Sequence, residues 1–442
     1  MTMPTFASTV LDRARAAGAE ADLIVDAKES LSLKARDGAL EEQAVSATRI
    51  LGLRVIKDQQ VGIAYSEATD DDALGQLVDQ ALLNARFSKP EPNELIPANR
   101  QTLQTDNAQL CPDSNFSPEQ RIELALYLER TLASKPQIRN VPYNGVMEVI
   151  SQHQVFSTQG LSASSRQRIN HLYAYALAAD GELTAMAGKG QAARLGEQLS
   201  ADQVIADAHS EATAMLQGKS VPSGHYDVIF DPESQAELFD VFSIMLSGKS
   251  AQDGINPWRN RLGKQVAVAG FELSDQPLMT DGFGYALFDA EGTACATTPL
   301  VVDGVLQTLL HNSVTARQLN AANTGHAQRG PKSPLSVGAH QLHIAPGQST
   351  QSDLTGGEYL ELTDLQGTHS GANAISGDFS FGASGYLCRN GERIQPVRGI
   401  TVAGNFYDML NRINAIGDTA RWNWQRSMLM PSLRFADMSI SG

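Results

Sequence analysis

The sequence predicts an α+β protein of two principal domains: an N-terminal α/β domain with antiparallel hairpins over residues 1–220, and a strand-rich, barrel-like domain over residues 225–442. Three observations carry this expectation. Apolar residues recur at helical spacing in several N-terminal stretches. A period of two replaces that spacing between Val141 and Gly190. A Gly-, Ser- and Pro-rich break at residues 218–224 then precedes a half dominated by strand patterns and Gly-rich turns. No βαβ spacing and no repeat of 20–50 residues is visible.

The elements follow in order. Phe6, Val10, Leu11, Ala14 and Ala17 form a first helical stripe that stops at Gly18. Residues 49–65 read as strand, turn and strand. The most regular stripe is Leu74, Leu77, Val78, Ala81, Leu82 and Ala85, and Asp70, Asp71 and Asp72 before it suit a helix N-terminus, where carboxylates satisfy orphan N–H groups and the dipole. Residues 88–117, with Pro90, Pro92, Pro97 and Pro112 among polar residues, form a long connection. Ser117, Pro118 and Gln120 occupy the N-cap, N1 and N3 positions of a new helix. In the period-two stretch, Asn144-Gly145, Gln159-Gly160 and Asp180-Gly181 mark turns between antiparallel strands. A helix over residues 201–216 is capped by Ser200 with Gln203 at N3. Beyond the break, residues 225–230 form a strand. Asp231-Pro232 then starts a helix whose apolar positions run through Leu238, Phe239, Phe242, Met245 and Leu246. Asp303-Gly304 and Asn390-Gly391 mark hairpins, and a helix around residues 408–416 precedes a C-terminal strand.

Composition excludes several functions. With 34 Lys+Arg against 49 Asp+Glu, the net charge of −15 offers no basic face for nucleic acid or an anionic membrane. Cys111, Cys295 and Cys388 are scattered and odd in number, which fits a reducing compartment. The stretch from Met1 to Phe6 has no basic segment leading into an apolar one, and no run of about 18 apolar residues occurs, so a cytoplasmic protein is expected. Gly218-Lys219-Ser220 and Gly248-Lys249-Ser250 lack the upstream glycine of a P-loop. Gly382-Ala383-Ser384-Gly385 misses a nucleophile elbow by one residue. His340 and His343 lie three apart in a strand-like context, which directs them to opposite faces. HExxH and HExxxH are absent, and residue patterns alone reveal no catalytic site.

From residue 225 onward the chain resembles the TldD/PmbA family, in particular its PmbA (TldE) branch. The islands are Tyr226 to Glu233; Phe288-Asp289-Ala290-Glu291-Gly292; and Thr315-Ala316-Arg317 with Thr324-Gly325-His326-Ala327 and Arg329, where His326 stands in place of an asparagine. Further islands are His369-Ser370-Gly371 with Asn373, Ser376 to Ser380, Ala383-Ser384-Gly385, Ile400 to Asn405, and Met409-Leu410. The resemblance implies a two-subunit zinc metallopeptidase of the cytoplasm that trims unfolded peptides and matures peptide antibiotics. Its TldD-type subunit holds zinc through HExxxH on the first helix of the C-terminal domain and a cysteine near the C-terminus, with the glutamate as base toward a metal-bound water.

In this chain the matching helix carries Asp240, Val241 and Met245 where that zinc motif would stand, and residues 422–432 hold no cysteine. The resemblance therefore implies a subunit with no catalytic residues and no metal or cofactor of its own. It would pair with a TldD-type HExxxH chain that carries the zinc, and help hold an unfolded peptide. Glycines in residues 367–385 allow close backbone approach, so His369, Asn373, Gly377 and Asp378 are candidate cleft residues; the competing reading makes the same residues turn formers. Two alternatives stay open: a peptide-binding or modulator protein acting alone as a homodimer, and a hydrolase with an unfamiliar Ser or Cys site.

Overall fold

The first sheet begins with a long hairpin, whose ladder shifts register once, between Lys34 and Ala35. In the computed structural model, which describes residues 3–99 and 102–442, α1 (Thr5–Ala16) leads into β1 (Glu20–Arg36) and β2 (Ala39–Lys57). The N-terminal residues Met1 and Thr2 lie outside the described residues. β1 pairs with β2 from Glu20 opposite Ile56 to Arg36 opposite Ala39. β3 (Gln60–Ser66) extends the sheet but covers only residues 51–57 of β2, so residues 41–49 are exposed on both faces. α2 (Asp71–Phe87) follows, with Asp70 accepting from the Ala73 N–H as its N-cap. α1 and α2 bury Val10, Leu11, Leu74, Leu77 and Ala81 against Leu23, Val25, Leu51 and Val55.

The connection contains the short β4 (Thr102–Gln104) and α3 (Asn107–Leu110) before α4 (Pro118–Ala133). α4 opens on a complete capping box of Ser117 and Gln120. β5 (Ile138–Ser157), β6 (Ser162–Asp180) and β7 (Leu183–Ala193) complete the sheet, with β5 antiparallel to both β1 and β6. Asn144-Gly145, expected as a turn, lies inside β5. The Asn144 side chain is buried, accepts from the Ala35 N–H and donates to the carbonyls of Ala35 and Val141, so cross-strand pairing consumes the turn-forming groups. α5 (Ala201–Leu216), capped by Ser200, packs with α4 over this end of the sheet.

The C-terminal half opens with β8 (Gly224–Phe230), α6 (Pro232–Val241) and α7 (Gly248–Gln252). α6 is shorter than its apolar spacing predicts. It ends at Val241, residues 243–246 form a 3₁₀ turn, and Ser247 is then free to cap α7 by accepting from the Ser250 N–H. β9 (Leu273–Asp275), β10 (Thr298–Val302), β11 (Val305–Leu306), α8 (Ser313–Leu319), β12 (Ala327–Gln328), β13 (Ser336–Val337), β14 (Leu342–Ile344) and α9 (Gln351–Thr355) follow. The largest strands come last: β15 (Glu358–Gln366), β16 (Asp378–Arg389), β17 (Glu392–Asn405), then α10 (Phe406–Met409), β18 (Ile413–Trp422) and β19 (Met428–Ser441). The helix expected over residues 408–416 is thus a single turn that starts two residues earlier, because Ile413 and Ile416 pair with Phe435 and Leu433 in the sheet.

Ten strands form the second sheet. β8 pairs with both β15 and β19, so β8, β15, β16, β17 and β19 close on themselves into a barrel. Alternation along the strands splits their side chains between two cores. Val228, Phe230, Leu360 and Leu362 join Phe381, Val402 and Phe435 in one, while Ile229 and Tyr359 join the cluster under α4 and α5. The two halves therefore share a continuous apolar contact. Among the described residues, no helix is long and apolar enough to cross a membrane.

Candidate functional site

Asp275 ends β9, flanked by β10 and β14, and its carboxylate is fully buried. Its Oδ1 accepts from the backbone N–H groups of His340 and Gln341, each at 2.9 Å. Its Oδ2 faces Nε2 of the buried His326 at 2.9 Å. The other nitrogen of His326 lies 2.9 Å from Thr324 Oγ1, which also accepts from the His311 N–H at 2.7 Å. His340 stacks obliquely on His326 with ring centroids 5.0 Å apart, and its Nε2 lies 2.9 Å from the Gly325 carbonyl and 3.4 Å from Cys295 Sγ. One donor atom each from Asp275, His326 and His340 lies within 4.8 Å of the other two. His343 turns away to Gln276, its Nδ1 2.8 Å from the amide.

His340 borders two cavities. One, of about 570 Å³, is lined by His153, Gln167, Asp289, Arg329 and Ser336 among others. The second, of about 440 Å³, runs beside α6, where Phe239, Asp240, Ser243, Ser247 and Lys249 face Gln341 and Met428.

Burial sets the protonation states here. It holds the His340 imidazole below its ordinary range and pulls His311 down to about 4, with the neighbouring His326 adding to the second effect. Burial, assisted by Asp289 and Asp275, raises the Cys295 thiol far above its usual range, so it stays protonated and is no nucleophile at neutral pH. Burial also raises Asp289 to about 7, with Glu291 adding to the rise. The N–H groups of Ala327, Thr293 and Glu291 that it accepts pull the other way.

The residues that stand where the resemblance implies a zinc motif are poor zinc ligands. Asp240 is exposed at the last turn of α6, Val241 is half-buried at its end, and Met245 is buried in the 3₁₀ turn beyond. No imidazole stands among them, and the helix stops before a second ligand could follow on its face. Cys388 lies in β16, buried opposite Tyr359 of β15 and with its thiol raised to about 11 by burial. It is remote in sequence from the tail.

The predicted cleft residues fall in the segment that leads into β16, of which Asp378 is the first residue. Asn373 Oδ1 accepts from the N–H groups of Ile375 and Ser376, and its own N–H donates to the Asp378 carbonyl. The Asp378 carboxylate accepts from Asn405 Nδ2 and Ser376 Oγ, and these bonds hold it below the usual carboxylate range. Gly377 adopts φ 89°, and a Cβ there would meet the Tyr407 ring at 2.5 Å. His369 is exposed outside this network, and none of the four borders the two cavities at His340. Their hydrogen bonds account for Asn373, Gly377 and Asp378 as turn formers.

Sequence reasoning missed the Asp275–His326–His340 set. Its members are 51 and 14 residues apart and sit on short strands and loops, where no helical or hairpin spacing joins them. The one signal was His326 itself, in place of an asparagine.

Comparison with known proteins covers most of the chain. Three models of the PmbA/TldA metallopeptidase match: domain 1 over residues 21–85, the central domain over 111–216 and the C-terminal domain over 223–442. Metalloprotease PmbA of Escherichia coli O157:H7 is 28% identical over 443 residues, 97% of this chain and 95% of that protein. A metalloprotease TldD homolog of Haemophilus influenzae is 21% identical over 415 residues, 90% of this chain and 85% of its own length. The crystal structure of TldE from Thermococcus kodakarensis superimposes with a TM-score of 0.85 at 18% identity, covering 99% and 98% of the two chains.

Proposed function

Because the chain belongs to the PmbA/TldD metallopeptidase family, we propose that it is the non-catalytic subunit of a two-chain zinc peptidase that trims unfolded or precursor peptides in the cytoplasm. The observation that carries this reading is α6. Hydrolytic zinc needs three protein ligands and a base, and Asp240, Val241 and Met245 supply no imidazole. Higher identity to a PmbA protein than to a TldD homolog supports the same assignment.

A TldD-type partner with HExxxH would hold the zinc, and this chain would contribute walls to the peptide cleft. The cavity beside α6 suits that role: it is an open groove with apolar Phe239 and Met428 beside the polar ends of Ser243 and Ser247. A net charge of −15 favours neutral or basic peptides over acidic ones.

Co-expression with the host's HExxxH relative tests the reading. A stable 1:1 complex, with chelator-sensitive trimming of an unfolded peptide by the complex and none by this chain alone, is the expected result. A persistent homo-oligomer that ignores the relative would overturn it in favour of a stand-alone modulator. Chelator-resistant cleavage by the isolated chain would overturn it in favour of an unfamiliar hydrolase.

A further inference from the structure

Between the two cavities, we propose, Asp275, His326 and His340 form a binding site for one divalent transition-metal ion, separate from the zinc position on α6. Two imidazoles and one carboxylate are a donor set of borderline softness, suited to Zn²⁺ or Co²⁺ more than to Mg²⁺ or Ca²⁺. Their donor atoms lie within 4.8 Å of one another, and small side-chain rotations bring such a set onto metal bonds of about 2.0–2.2 Å.

The surroundings orient each ligand as metal sites require. Two backbone N–H groups occupy Asp275 Oδ1, which fixes the carboxylate and leaves Oδ2 toward His326. Thr324 Oγ1 sits on the far nitrogen of His326, and its own hydroxyl donates to the His311 carbonyl at 3.1 Å. The ring of His340 is tied to the Gly325 carbonyl. Asp275 and His326 are fully buried, so desolvation already removes the water that would compete for the ion, while His340 opens onto both cavities and offers the entry path. Three ligands leave at least one coordination position for a water or a peptide group. An ion there would clamp β9, the loop before β12 and the loop before β14, the last of which lines the groove beside α6 through Gly338, Ala339, His340 and Gln341.

Equilibrium dialysis of the tag-free full chain against Zn²⁺ and Co²⁺, followed by elemental analysis, tests the site. The wild type should retain one ion per chain, show a visible Co²⁺ absorption band, and melt at a higher temperature with Zn²⁺. His326→Asn and His340→Gln should each weaken retention by at least about tenfold, in line with the loss of a ligand. His369→Ala, on the exposed surface, should leave it unchanged. His340 lies at the cavity rim, so His340→Gln keeps the test open should His326→Asn fold poorly. Equal retention by the wild type and the His340→Gln variant, or no ion retained by the wild type, would overturn the site. The ligands lie off α6 and binding is read on the chain alone, so either result leaves the pairing with a zinc subunit untouched.

Discussion

Arg329 donates through Nη2 to Oδ1 of Asp22, joining residues 307 positions apart. Asp22 Oδ2 takes Arg54 Nε and Nη2 at 2.9 and 2.5 Å, and Arg54 Nη1 reaches Glu94 at 2.9 Å. Arg54, Arg329 and Asp22 are nearly inaccessible, at 1%, 0% and 3% of their side-chain surface. Removing the shared carboxylate takes the ion-pair partner from the buried Arg329 guanidinium and leaves the buried Arg54 with Glu94 and, at 3.7 Å, Glu291. Asp22→Ala should therefore cost about 3–5 kcal/mol in urea unfolding. Asp71→Ala, which breaks the exposed pair with Arg13, should cost about 0–1 kcal/mol. Equal losses would remove the buried network as a source of stability.

Asn144 offers a second test in the same sheet. Its amide satisfies both backbone groups of Ala35 where the β1–β5 ladder has run out. Asn144→Ala leaves these buried groups unpaired, so a loss of about 1–3 kcal/mol is expected from chemical denaturation. A neutral result would show that water replaces the side chain.

Gly377 should not tolerate a side chain. Its φ of 89° disfavours any L-residue, and a Cβ collides with Tyr407 and with Asn405 Oδ1 at 2.7 Å. Gly377→Val should lower the melting temperature, with a cost of order 1–3 kcal/mol. If its complex with a TldD-type partner assembles normally yet trims no peptide, the turn contacts substrate. Retained trimming assigns the turn a structural role alone.

Glu233, in the first turn of α6, gives a pH signature. Burial raises its carboxyl from 4.5 to about 7, against the Trp424 N–H bond and Lys189, which lower it; Asp231 adds to the rise. Its folded pKa exceeds its unfolded one, so the folded state holds the extra proton between these values and stability falls as pH rises from about 4.5 to 7. The full penalty, of order 3 kcal/mol at most, applies above pH 7. Glu233→Gln keeps an acceptor for Trp424 and removes the charge. The variant should be more stable than wild type at pH 8, with a flatter profile down to pH 5. Superimposable profiles would refute the shift.

What could be read from the sequence was mainly local. Ser117 with Gln120, Ser200 with Gln203 and Asp231 with Pro232 set helix starts through contacts within a few residues, and each forms as expected. Asn144-Gly145 misled because a dipeptide suited to a turn is also suited to bridging a neighbouring strand, and only Ala35, 109 residues away, decides between the two. The stripe through Phe242, Met245 and Leu246 continued past the helix because a 3₁₀ turn keeps residues three apart on one face, all buried in one core. That Asp240, Val241 and Met245 bring no imidazole to the end of α6 was legible because they lie within one short segment. The Asp275–His326–His340 set was not, since three segments assemble it.

The closure of the barrel has a consequence for biosynthesis. β19 pairs with β8, β14, β17 and β18, yet it is the last of these strands to leave the ribosome. At about 5–20 residues per second, roughly 10–40 s separate the emergence of β8 from that of β19. During this interval β8 and β17 present open edges carrying Val228, Phe230 and Val402, the kind of surface that templates mispairing. Those edges stay open until β19 has emerged, and a ribosome stalled near residue 427 would leave the C-terminal half unable to complete its sheet.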